Sequence, residues 1–185
     1  MEEDKTLTDE YERLRHSTDS EELSRIAREE LKKEEVGEEE FAIRSALLEA
    51  VAANKLTPKV DRIYLASASS FPNILVRLST DEDREVRKAV AANKSSKNWL
   101  LSKLAKDEDE KVREEAIKNP NCSWKAKLDA AQNPLSSPQL LRFLSEIGKE
   151  SAEGTKEFVL SSLALDPSPE VARAASKRIS PDNVQ

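Results

Sequence analysis

Residues 81–93 read DEDREVRKAVAAN, and residues 107–119 read DEDEKVREEAIKN. Laid over one another at a spacing of 26, they match Asp81 with Asp107, Val86 with Val112, Arg87 with Arg113 and Asn93 with Asn119. The six residues AVAANK occur at 50–55 and again at 89–94, and a degenerate further copy, DPSPEVARAA, begins at Asp166. Internal repetition of this kind marks a repeat architecture, whose units stack because none can bury its apolar face alone.

Between these copies lie SFPNILVRL (70–78), SKNWLLSKL (96–104) and SSPQLLRFL (136–144), which share a serine start and paired apolar residues followed by leucine three later. They predict a second class of helix alternating with the first. Thr57, Ser96 and Ser137 suit the N-cap, where a side-chain oxygen accepts from orphan amides, and Pro58, Pro138 and Pro169 suit the first helical position. At the other ends Asn54, Asn93, Asn119 and Asn133 close apolar runs, and asparagine tolerates the left-handed conformation that stops a helix. Pro120 and Pro134 then block continuation.

Within 83–92, Val86, Ala89, Val90 and Ala92 form a narrow apolar stripe, with Arg84, Glu85, Arg87 and Lys88 on other faces. Stacked helices of about 10 to 12 residues cover one another's stripes, and small alanines let their axes approach. The predicted architecture is all-α, an α-α superhelix built as a solenoid of short helices. The asparagine markers stand 39, 26 and 14 residues apart, close to three, two and one steps of a single helix with its loop. The odd first step predicts a three-helix unit or an inserted helix between Asn54 and Asn93.

Upstream, helical spacing runs through 8–16 and 19–33 by way of Leu14, Leu23, Ile26, Ala27 and Leu31, and Glu34–Glu40 with Gly37 reads as a linker or tight turn. Charge supports the same division. Residues 1–40 carry 16 acids against 7 bases, so the net −6 of the chain belongs to this acidic helical segment, while the array over 41–185 is mildly basic. Such a balance makes no strong electrostatic claim on nucleic acid, whose affinity rests on many Lys and Arg contacts to phosphate. An acidic, solubilising cap is the plain meaning of the N-terminal run.

Aromatic residues are 4% of the chain and glycines number three, which leaves little material for strands and turns but much for solvated helix faces. No stretch approaches the roughly 20 apolar residues of a membrane span, and MEEDKTLTDE is acidic where a signal peptide would be basic. The expectation is a cytoplasmic protein. The single cysteine, Cys122, excludes an internal disulfide and a cysteine-built metal cage within one chain.

Chemistry finds few footholds. His16 is the lone histidine and sits in the acidic segment, so no catalytic triad or HExxH arrangement forms around it. Gly37, Gly148 and Gly154 are isolated, whereas a phosphate-cradling loop needs several together. Asp81 with Asp83 and Asp107 with Asp109 recur just before a helix, which favours capping over metal binding. Arg87 and Arg113 recur too, and a structural bridge to the acids of the preceding turn or of the neighbouring unit outweighs ligand binding. Trp99 and Trp124 stand near helix starts, either in the core or as partner-facing anchors. Cys122 lies in the loop NPNCSW with Lys118 and Lys125 nearby in sequence, and an inert surface thiol is the expectation. No catalytic residue, metal ligand or cofactor is expected; the partner-binding candidates are Arg87, Lys88, Trp99, Arg113 and Trp124.

At DEDREVRKAVAAN, DEDEKVREEAIKN and the LxxLA segments 101–105 and 160–164, the sequence resembles the HEAT-like superfamily, and most of all the variant leucine-rich repeat, which is all helical. The resemblance covers about residues 42–178. It implies an armadillo-like solenoid whose concave face holds a protein or peptide partner, without catalysis. The founder of that family carries an N-terminal cysteine cluster for an iron–sulfur centre, which has no counterpart before Cys122. Some HEAT-like folds act on alkylated DNA, and a nucleic-acid-binding role of that kind is the alternative, opposed by the acidic N-terminal segment.

Overall fold

A computed structural model of the chain describes residues 6–32 and 37–131, together with isolated positions between 161 and 176. Among the described residues the structure is helical, without a strand: α1 (Leu7–Arg15), α2 (Ser20–Lys32), α3 (Glu38–Ala53), α4 (Lys59–Ala68), α5 (Pro72–Leu78), α6 (Arg84–Ala92), α7 (Asn98–Leu104), α8 (Glu110–Lys118) and α9 (Trp124–Ala131). None of these helices is long and apolar enough to cross a membrane. The chain divides into two compact units, residues 1–100 and 101–185, with the boundary inside α7. The predicted copy at Asp166, the segment 136–144, the caps at Asn133, Pro134, Ser137 and Pro138, and the LxxLA stretch at 160–164 as a whole lie outside the described residues, as do 34–36 of the expected linker.

In the first unit α1 begins on a capping box: the Thr6 hydroxyl accepts from the Asp9 amide, and the Asp9 carboxylate accepts from the Thr6 amide. Arg13 on α1 reaches Glu22 on α2 with Nη1 and Nη2, at 3.0 and 2.8 Å, and so joins the first two helices. Helix α3 packs against α1 and α5, while α4 packs against α2 and α6, so odd- and even-numbered helices form two series. The series meet where α2 touches α3 and where α5 touches α4 and α6. Their shared core is Leu14, Leu23, Leu48, Val51, Leu65, Ile74, Leu75, Leu78, Val86 and Val90, all fully or almost fully buried. Each such side chain contributes roughly 1.5–3 kcal/mol by leaving water. The two upstream segments read from helical spacing are therefore α1 and α2, built into this core through Leu14, Leu23 and Ala27.

The junctions carry most of the specificity, and they differ from expectation in three ways. Asn54, Asn93 and Asn119 do end α3, α6 and α8, but in extended and not left-handed backbone, with φ of −78°, −67° and −62°. Their side chains explain why. The Asn54 amide donates to the carbonyls of Leu14 and Ser17 at the end of α1, and the Asn93 amide to those of Ala66, Ser67 and Ser69 at the end of α4. Each asparagine satisfies carbonyls that the neighbouring helix leaves without an intrahelical partner. Secondly, Thr57 is not the N-cap of α4: Pro58 occupies that place, and the hydroxyls of Thr57 and Ser96 donate backwards to the carbonyls of Val51 and Val90, at 2.5 and 2.6 Å. Thirdly, the buried face of α6 is Val86, Arg87, Val90 and Ala91, whereas Ala92 is exposed. Arg87 is thus on the core side.

Between Asn54 and Asn93 lie three helices, α4, α5 and α6, and between Asn93 and Asn119 only two, α7 and α8. The odd step has the consequence expected of it, for Asn54 ends a helix of the odd series and Asn93 one of the even series.

In the second unit α8 packs on α9. Val112, Ala116 and Ile117 of α8 are fully buried, as Ala126 and Ala130 of α9 nearly are. Asp109 caps α8 by accepting from the amides of Lys111 and Val112.

Candidate interaction surface

Two kinds of charged group occur along the helices, those already tied into the fold and those left to solvent. The recurring acids are of the first kind. Asp83 caps α6 by accepting the Glu85 amide, and Asp81 accepts the Asp83 amide one turn earlier; Asp107 and Asp109 repeat both roles ahead of α8. Asp83 also pairs with Lys59 at 2.6 Å, and the ammonium and the Glu85 amide together hold its carboxyl below the usual carboxylate range. No group of three or more potential metal-ligating side chains gathers among the described residues.

Arg87 and Arg113, two of the partner-binding candidates, are 7% and 6% exposed. Nη1 of Arg87 donates to the carbonyls of Asp81 and Glu82, and Nη1 of Arg113 to those of Asp107 and Glu108, all between 2.8 and 3.2 Å. These partners are backbone oxygens of the acidic turn that precedes each helix. A buried guanidinium so placed stitches a helix to the loop before it. Arg44 ties α3 to α2 instead: its Nε and Nη2 reach the Glu30 carbonyl at 3.1 and 2.5 Å, and the cation lies 5.9 Å from the Phe71 ring centroid. Nothing in the sequence singled out Arg44, because it lacks the Asp-rich turn that marks the other two.

Lys88, a third candidate, is half-buried and stands 3.6 Å from Glu85 on its own helix. Trp99 is 57% exposed at the start of α7, and the large apolar side chains of Leu56 and Val60 are also exposed at the start of α4. The side chain of Trp124 lies outside the described residues.

A cavity of about 330 Å³ opens in the first unit where the end of α3, the middle of α4, the end of α5 and the loop before α6 converge. Its charged lining consists of Lys55, Arg62, Arg77, Asp81 and Glu82. Arg62 holds Asp81 through Nη1 alone, at 3.0 and 2.8 Å to the two carboxylate oxygens, while its buried Nε has no acceptor. None of these five residues was marked as a site by sequence. Lys55 closes the repeated AVAANK and Arg77 lies in SFPNILVRL, both read there for helix and repeat alone, and only the meeting of α3 with α5 brings them to one cleft.

His16 is exposed at the end of α1, 3.4 Å from Glu12. Cys122 is not at the surface as expected: it is 5% exposed, burial pushes its thiol up, and its charged neighbour is Lys127, itself buried and shifted down by the same loss of water. Both groups are driven toward their neutral forms, which makes the thiol a poor nucleophile.

Comparison of the chain with protein-family models, with curated proteins and with solved structures returns no match.

Proposed function

We propose that this chain is a non-catalytic interaction module, a HEAT-like solenoid of short helices akin to the variant leucine-rich repeat, which holds a protein or peptide segment on one face. The observation that carries this reading is Trp99: its indole is 57% exposed on a helix whose neighbouring leucines, Leu100, Leu101 and Leu104, are almost fully buried. An apolar, rigid side chain of this size is costly to leave in water, and such residues dominate interface energetics. The repeated contacts of Arg87 and Arg113 support a stacked-repeat origin for the helices that present it. A reducing, cytoplasmic setting accords with a buried cysteine that has no disulfide.

Affinity capture from the source cell with the whole chain and with Trp99→Ala tests the proposal. The expected result is a partner retained by the parent and lost by the variant, with identical helical circular dichroism. Firm, salt-sensitive binding of duplex DNA, with no protein retained, overturns it in favour of a nucleic-acid role.

A further inference from the structure

We infer that the cleft between the ends of α3 and α5 is a receptor for a carboxylate carried by an acidic, apolar-flanked peptide segment. This deepens the interaction-module proposal and rests on it, by naming a second contact site and its chemistry.

Three cations line the cleft, Lys55, Arg62 and Arg77, and only Arg62 has an ion pair. Lys55 and Arg77 are exposed, and no hydrogen bond or ion pair engages either side chain among the described residues. Arg62 is fixed by its bond to Asp81, yet it uses one nitrogen of three, leaving Nε buried without an acceptor and Nη2 with no protein partner. A guanidinium held on one edge with its other donors idle is preorganised for a second acceptor, because its planar fork needs little further ordering.

The acids present decide what kind of anion fits. Asp81 is already taken by Arg62 and by the Asp83 amide, and Glu82 stands exposed at the rim. The carbonyl end of α3, at Ala52 and Ala53, adds negative partial charge to the same wall. The charged lining sums to +1, three cations against two carboxylates, so a single carboxylate neutralises it and a dianion such as phosphate overshoots. The chain neighbours of those cations, Leu56 beside Lys55 and Val76 beside Arg77, are exposed apolar residues. They suit a ligand in which acidic and apolar residues alternate.

The test is an amide chemical-shift titration of the full chain with acetyl-Leu-Glu-Leu-Glu-amide, its Leu-Gln-Leu-Gln counterpart, and inorganic phosphate, at low salt. Saturable shifts at Lys55, Arg62, Arg77 and Glu82 are expected with the glutamate peptide, with binding about tenfold weaker for the glutamine peptide. The double variant Lys55→Glu with Arg77→Glu should weaken the glutamate peptide by at least about tenfold. Lys55→Gln with Arg77→Gln should weaken it less, and serves should the charge reversal disturb the fold. Equal binding of the two peptides, shifts centred elsewhere, undiminished binding by the variants, or tighter binding of phosphate overturns the inference. Capture through Trp99 is measured separately, so a cleft that fails while that capture persists sinks this inference alone.

Discussion

Cys122 stands three residues after Asn119, in the place that Ser96 takes after Asn93, and both side chains are buried. In each case the backbone amide donates to the carbonyl of the helix-ending asparagine, at 3.0 Å for Cys122 and 3.1 Å for Ser96. Thr57 makes the same bond to Asn54. The position calls for a small side chain, and at the first two copies it is a hydroxyl returning a hydrogen bond to the end of the helix before it.

Cys122→Ser should therefore cost less than about 1 kcal/mol, within the range of mild substitutions, because the two earlier copies hold a hydroxyl at this place, bonded to the carbonyl six residues before it. Thermal denaturation checks it. The parent thiol should react slowly with iodoacetamide at neutral pH and quickly once denaturant unfolds the chain, since burial raises its pKa and hides it. Native-state alkylation as fast as that of free cysteine would contradict the buried placement.

Removing Arg87 or Arg113 takes a guanidinium out of the core side of its helix and leaves two carbonyls in the turn ahead of α6 or α8 short of a donor. Alanine at either place should destabilise by about 2–4 kcal/mol, and lysine should not restore the loss because an ammonium lacks the planar fork. If partner affinity falls while the melting temperature holds, the guanidinium faces the ligand and not the turn.

Val86 and Val112, matched by the internal repeat, are both fully buried. Truncation of either to alanine should cost roughly 1–3 kcal/mol through lost packing. Chemical denaturation measures this, and an unchanged midpoint for both would reject their equivalence.

Acid should weaken the junction between α4 and α6. The carboxyl of Asp83 is held below its ordinary value of 3.8, first by Lys59 and then by the Glu85 amide. A depressed folded-state pKa contributes stability that is fully present above 3.8 and is lost as pH falls below it. Lys59→Gln should shrink this acid-dependent loss, as read from melting temperatures across an acid series; an unchanged acid slope would detach the pair from stability.

The sequence by itself determined the helices and their ends. Periodic apolar positions, and Asp83 and Asp109 ahead of a helix, act within three or four residues, and such effects are written in adjacent letters. It also contained the odd step between Asn54 and Asn93, because spacing is counted along the chain. Tertiary structure decided which face each residue shows and what it meets. Asn93 stops α6 in extended backbone because its amide reaches carbonyls 24 to 27 residues earlier, and Arg87 turns inward because the loop before its helix offers two oxygens. Lys55 and Arg77 share a cleft because α3 packs on α5. Periodicity cannot report such meetings: it orders a helix about its own axis, whereas the partner of each face is set by how the helices dock.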